Sequence, residues 1–137
     1  MICKITGKKI KPFMSFGRMP IANGFLKKEN FKKEFSFKME VGFSKDLSLF
    51  QLNDHPTPKS MFNKNYPFFT SSSKYMLKHF KQYSSWIKKN YSNNIKKIIE
   101  IGSNDGSFLR NFKSKKTNIL GIEPSSNVAN IAKKNGI

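Results

Sequence analysis

Glu100-Ile101-Gly102-Ser103-Asn104-Asp105-Gly106, with Glu123 downstream, are the residues whose types and spacing could do chemistry. The run follows a short β-branched segment, Ile98-Ile99-Glu100-Ile101, of the kind that forms parallel strands. Glycines just behind a strand let the backbone pass close under a ligand, where a Cβ would collide. A helix that follows points free N–H groups and the positive end of its dipole at the same place. An acid about 20 residues further on, at the end of the neighbouring strand, can accept hydrogen bonds from both hydroxyls of a ribose. Glu123, followed by Pro124, occupies that position. The glycines alone are also compatible with a plain tight turn, but the acid at this distance, followed by Pro-Ser, weakens that reading.

The pattern from Glu100 is E-x-G-x-x-x-G rather than the G-x-G-x-x-G of dinucleotide sites, so contact with a diphosphate is less well supported. An acid two residues before the first glycine can hold the cationic amino-acid end of a ligand. These features favour S-adenosylmethionine over NAD. Gly102 and Gly106 would shape the turn, and Ser103, Asn104 and Asp105 would contact the methionine end. Glu100 would sit near the amino group, and Glu123, beside Pro124, would hold the ribose.

The surrounding elements must place these groups. Phe108, Leu109 and Phe112 suggest a helix after the turn. Asn118-Ile119-Leu120-Gly121-Ile122-Glu123 reads as a second strand, and Pro124-Ser125-Ser126 starts a helix carrying Val128, Ile131 and Ala132 that stops at Asn135-Gly136. Strand, glycine turn, helix, strand, acid, helix is the opening of a doubly wound parallel α/β sheet of the Rossmann-like kind, assigned to residues 95–137 and incomplete there. Residues 63–94 hold the loop Asn65–Ser73, rich in serine, and a helix whose face carries Met76, Phe80, Tyr83 and Ile87. That helix is expected to end near Asn90, with Ser92-Asn93-Asn94 as a linker. Residues 1–62 form a small β-rich domain. In it Phe35, Phe37, Met39, Val41 and Phe43 alternate with polar residues as in a half-buried strand, which Ser44-Lys45-Asp46 turns into Leu47–Leu52. Pro56 and Pro58 end that hairpin.

Lys+Arg number 26 against 8 Asp+Glu, a net charge of +18. Such a charge invites nucleic acid. Yet arginine, whose planar fork dominates base and phosphate recognition, occurs only at Arg18 and Arg110, and the lysines are scattered in ones and twos. No specific nucleic-acid partner is expected. No apolar run approaches the roughly 20 residues of a membrane span, and no signal peptide is evident at Met1. The lone Cys3 excludes a disulfide within one chain and a four-cysteine zinc site, so a reducing, cytoplasmic setting is expected.

The run Ile98–Leu109 resembles motif I of the class I S-adenosylmethionine-dependent methyltransferases. More narrowly it is similar to the branch of sugar C-methyltransferases that act on nucleotide-linked keto-sugars. Gly121–Ala129 is similar to that branch's second-strand motif, and Gly17-Arg18-Met19-Pro20-Ile21-Ala22-Asn23-Gly24-Phe25-Leu26 to its G-x-x-P-L-A-N-x-F-L stretch. Leu49–Leu52 and Asn65–Ser73 match its next landmarks, so the resemblance runs the length of the chain. It implies a methyltransferase using S-adenosylmethionine on a small-molecule substrate, a nucleotide-sugar in that branch. Tyr66 and Ser71 would close over cofactor or substrate, whereas Phe68 and Ser72 stand where the branch has Tyr.

Two departures matter. The branch opens with a zinc-binding domain of two C-x-x-C pairs, which here read Cys3-Lys4-Ile5-Thr6 and Ser44-Lys45-Asp46-Leu47, so zinc is not expected. The branch also continues well past the equivalent of Ile137, so an N-terminal, inactive portion with the catalytic groups further on is the expectation. No catalytic residue is assigned: His79 reads as structural and His55 as a loop residue. The alternatives are a small basic nucleic-acid-binding protein and part of an NAD-dependent oxidoreductase. The methyl acceptor and oligomeric state are not legible.

Overall fold

Phe37, Met39, Val41 and Phe43, alternating with polar neighbours, build the central strand of a three-stranded antiparallel sheet. In the computed structural model, which describes residues 1–91 and 95–137, that strand is β2 (Ser36–Ser44), flanked by β1 (Pro12–Pro20) and β3 (Leu49–Leu52). The expected linker, Ser92-Asn93-Asn94, lies outside the described residues. The chain is mixed α/β and divides into two units, Met1–Met61 and Phe62–Ile137.

In the first unit β2 pairs with β3 through Val41↔Leu52 and Phe43↔Phe50, and the Phe43 and Phe50 rings meet with centroids 4.8 Å apart. β3 starts at Leu49 rather than Leu47, because residues 45–48 are spent on a turn in which Ser48 takes a positive φ of 48°. β1 is a strand that the sequence pattern concealed. It begins and ends with proline and is interrupted by Gly17, yet it pairs with β2 through Met14↔Val41 and Met19↔Phe37. Proline is tolerated because β1 is an edge strand, where missing ladder donors cost little. All of its residues are exposed, and a single α-helical turn, α1 (Pro58–Met61), follows the sheet. Among apolar residues of this unit only Cys3 and Phe37 are buried.

The second unit holds α2 (Lys74–Asn90), β4 (Lys97–Ile101), β5 (Asn118–Ile122) and α3 (Ser126–Lys134). Of the three serines before α2, Ser73 is the cap; its hydroxyl accepts the Met76 N–H at 3.2 Å, a contact worth about 1 kcal/mol. The covered face of α2 is Leu77, Phe80, Ser84 and Ile87 rather than Met76, Phe80, Tyr83 and Ile87. Ser84 is buried and small, which rotates Met76 and Tyr83 outward; Tyr83 still stacks on Phe108 at 5.7 Å. The expected helix after the glycine turn is a single 3-10 turn, Leu109–Phe112. The Asn111 side chain donates to the carbonyls of Ser107 and Phe108, a local alternative to regular helix hydrogen bonds.

β4 and β5 are parallel, in register at Ile98↔Ile119 and Glu100↔Gly121. The Ile98, Glu100, Ile119 and Gly121 side of the pair is partly covered, and Ile99, Ile101, Leu120 and Ile122 on the other side are about half exposed or more. No helix among the described residues is long and apolar enough to cross a membrane. Gly121 permits a close approach between β5 and the glycine turn. A Cβ there would lie 2.5 Å from Ser103 Oγ and 3.2 Å from Leu109 Cδ1. Gly121→Ala should therefore destabilise the chain by about 1–3 kcal/mol through overpacking, measured by urea denaturation, whereas a substitution at exposed Leu120 to Val should be near neutral.

Candidate functional site

The turn after β4 is stitched to the end of β5. The N–H groups of Gly102 and Ser103 both reach the Ile122 carbonyl, at 2.8 and 3.1 Å. Gly102 has φ +75°, and the direction its Cβ would take is open space, so the backbone is bare to an incoming ligand. Asn104 also has a positive φ, 51°, which asparagine tolerates better than most residues. Glu123 lies against this turn. Its Oε2 accepts the Asn104 N–H at 3.0 Å and its Oε1 accepts the Ser125 N–H at 2.8 Å, across the short Pro124 corner. An ionised carboxylate offers about four lone-pair sites, so capacity remains on both oxygens.

The loop before α2 is fastened to the same turn. Asn104 Oδ1 accepts the Thr70 N–H at 2.9 Å, and its Nδ2 donates to the Phe68 carbonyl at 3.0 Å. Asp105 Oδ2 accepts the Ser71 N–H at 2.8 Å, while its Oδ1 takes the Ser107 hydroxyl at 2.6 Å and the Ser107 N–H at 3.2 Å. From α3, Asn127 Nδ2 donates to the Tyr66 carbonyl at 2.7 Å. Tyr66 and Ser71 are thus brought to the turn by main-chain atoms, and the Tyr66 ring packs edge-on to Phe68. The side chains of Asn104 and Asp105 serve the loop, and their backbone lies at the turn. Ser103 is buried. Sequence reasoning missed Asn127 and Ser107. His79 stacks on Tyr83, and His55 Nδ1 lies 3.0 Å from the Pro56 carbonyl.

A cleft of about 160 Å³ lies between β5 and α3, lined by Ser103, Gly121, Glu123, Ala129 and Lys133 among others. That is too small for a whole nucleoside. A larger ligand would have to lie across the open side of Gly102.

The charge distribution is the feature the motifs alone did not expose. Residues 62–137 contain three acids, Glu100, Asp105 and Glu123, and all three stand at this end of the parallel pair. Burial pushes the Asp105 carboxyl up, but hydrogen bonds from Ser107 and Ser71 outweigh it and hold it below the usual range. Glu100 has no such compensation. Burial and the nearby Asp105 charge push it up to about 7, and its buried Oε2 has no hydrogen-bond partner. Ser125 Oγ and Asn127 Oδ1, at the start of α3, are likewise buried without partners. These three atoms keep unused bonding capacity at the ends of β4 and α3.

Residues 3–62 match the family model Methyltransf_13, described as "Putative zinc binding domain". By that match the N-terminal unit is similar to a methyltransferase-associated domain. No curated protein matches the chain. The zinc in that description does not fit the residues present. Cys3 is the only cysteine, and no group of three or more His, Cys, Asp or Glu side chains that could hold a metal occurs among the described residues.

Two outcomes follow from the geometry. Unfolded Glu100 loses its proton near 4.5, before the folded form does near 7, so its contribution to stability is full below about 4.5 and is lost as pH rises through 7. Glu100→Gln should therefore raise Tm at pH 8 and leave it nearly unchanged at pH 4, in thermal melts across that range. Asn104→Ala removes two loop hydrogen bonds and should cost about 1–3 kcal/mol, with faster hydrogen exchange at the Thr70 amide and no change at β2 amides.

Proposed function

We propose that residues 95–137 begin a Rossmann-like S-adenosylmethionine-binding sheet and that the chain contributes the methyl-donor site of a methyltransferase. The observation that carries this is the gathering of Glu100, Asp105 and Glu123 around a bare glycine backbone at the end of two parallel strands. The methyltransferase-associated N-terminal unit supports the same reading.

The ligand's charge favours it. S-adenosylmethionine carries a sulfonium and an ammonium against one carboxylate, whereas NAD brings a diphosphate that three local acids repel. Glu100, half-buried with one oxygen unpartnered, would take the ammonium, and that contact would offset the cost of its partial burial. Glu123 would accept the ribose hydroxyls with the lone pairs left free by Asn104 and Ser125. Gly102 would let the methionine portion lie against the backbone. Asn104 and Asp105 would act indirectly, holding the Tyr66–Ser73 loop as a wall of the site. When bound, S-adenosylmethionine supplies an electrophilic methyl group, and this chain's residues orient it and exclude competing anions. The resemblance narrows the acceptor to the carbon beside a ketone in a nucleotide-linked sugar, in a cytoplasmic setting. The chain supplies no residue assigned as the base that would generate that nucleophile.

Two strands and one loop line only one side of the ligand, so the dissociation constant should be about 1 mM, near −4 kcal/mol. Titration of the isotopically labelled chain with S-adenosylmethionine, followed by amide NMR, should shift Glu100–Gly106 and Glu123–Asn127. Glu123→Gln keeps an oxygen for the backbone donors and should weaken binding roughly tenfold, about 1.4 kcal/mol. Absence of shifts at several-millimolar ligand in a folded sample, or equal response to NAD, would overturn the assignment.

A further inference from the structure

The first unit matches a zinc-binding description but lacks the ligands for zinc, and its backbone shows what took the metal's place. Two four-residue turns in it share a spacing and are each followed by a residue with positive φ. In the first, Cys3-Lys4-Ile5-Thr6, the Thr6 N–H points at Cys3 Sγ at 3.5 Å, and the next residue, Gly7, has φ +71° and donates to the Cys3 carbonyl at 2.9 Å. The second, Ser44-Lys45-Asp46-Leu47, is followed by Ser48 at φ +48°, whose N–H reaches the Lys45 carbonyl at 3.3 Å. The x-x spacing within each turn is that of paired ligands in structural zinc sites. Cys3 and Ser44, which open the two turns, are both buried.

We infer that this unit is a metal-free knuckle, closed by the Thr6 N–H contact to the Cys3 sulfur and by side-chain ties between its two turns. The ties are specific. Lys8 Nζ pairs with Asp46 at 2.6 Å, joining the end of the first turn to the second. Gln51, on β3, accepts the Lys4 N–H at 3.1 Å and donates to the Ile2 carbonyl at 2.9 Å, so it clamps the first turn from both sides. Ile2 and Lys9 bridge across the base of that turn. The Lys8–Asp46 pair is exposed and weak on its own, so Gln51 carries most of the closure. With one thiolate, two hydroxyls and Leu47 at the four positions, zinc has no set of donors to bind. This inference concerns Met1–Met61 and stands independently of the methyl-donor reading.

The test uses the full chain. Wild type should carry no stoichiometric zinc by plasma mass spectrometry, and its Tm should move by less than about 2 °C on adding EDTA. Gln51→Ala should lower Tm by roughly 5 °C with or without zinc. The triple variant Thr6→Cys, Ser44→Cys, Leu47→Cys should take up one cobalt(II), with tetrahedral d–d and thiolate charge-transfer bands, and should then become sensitive to chelator. About one zinc per wild-type chain with a Tm that falls on chelation would overturn the inference. So would a folded triple variant that takes up no cobalt, because the two turns would then not face one cage. If the triple variant does not fold, the wild-type metal content and the Gln51→Ala melt decide.

Discussion

The second unit depends on one short span of backbone, Gly102 to Gly106, whose donors and side chains fasten β4 to the end of β5 and to the loop before α2. The Gly102 and Ser103 N–H groups hold β5, and the Asn104 N–H holds Glu123. The Asn104 and Asp105 side chains hold the Phe68–Ser71 loop. Asn127 completes the closure from α3 through the Tyr66 carbonyl. Each bond contributes only about 1 kcal/mol net, but they share residues, so losing one loosens its neighbours. The same span therefore shapes the candidate site and maintains the local fold. A substitution at Asn104 or Glu123 cannot be read as a ligand effect unless the loop amides are followed at the same time.

Much of this arrangement was legible in the sequence. The parallel pair, the Ser-led start and Gly-led stop of α3, the span of α2 and the β2–β3 hairpin all follow from periodicity and local punctuation. The exceptions have identifiable causes. β1 was hidden because proline and glycine read as breakers, while an edge position removes their cost. The inward face of α2 was misassigned because a small polar residue, Ser84, can be buried where apolar counting favours Tyr83. The segment after Gly106 has helical apolar spacing, but Asn111 diverts its carbonyls and leaves one 3-10 turn.

The gathering of residues at the glycine turn was legible in their spacing, and the hydrogen bonds their side chains make were not. Glu100, Gly102 and Glu123 were assigned to a ligand from spacing, and the structure sets all three around one turn. Asn104 and Asp105 were assigned with them, yet their side chains are consumed by loop hydrogen bonds that span more than thirty residues of sequence. Spacing within a motif cannot reveal a partner that distant. One signal was available and unused. A stretch that is otherwise lysine-rich confines its acids to Glu100, Asp105 and Glu123, and charge counted by segment rather than over the whole chain would have singled them out.

That confinement sets how a ligand can be recognised. A net charge of +18 repels any cation at long range, and at physiological salt the repulsion is screened beyond about 8 Å. Selectivity for a cationic ligand must then arise at contact distance, where a buried carboxylate acts at low effective dielectric. Glu100 is suited to that task because its environment leaves it uncompensated. Asp105 is satisfied by Ser107 and Ser71, and Glu123 is partly satisfied by Asn104 and Ser125, but the buried Glu100 oxygen has no partner. A cation arriving there gains a hydrogen bond and relieves a desolvated charge, whereas the same cation at Asp105 would have to displace bonds that hold the loop. The fold thereby ranks its three acids: one that organises the loop, one that links turn and helix while keeping free lone pairs, and one whose buried oxygen is left without a partner.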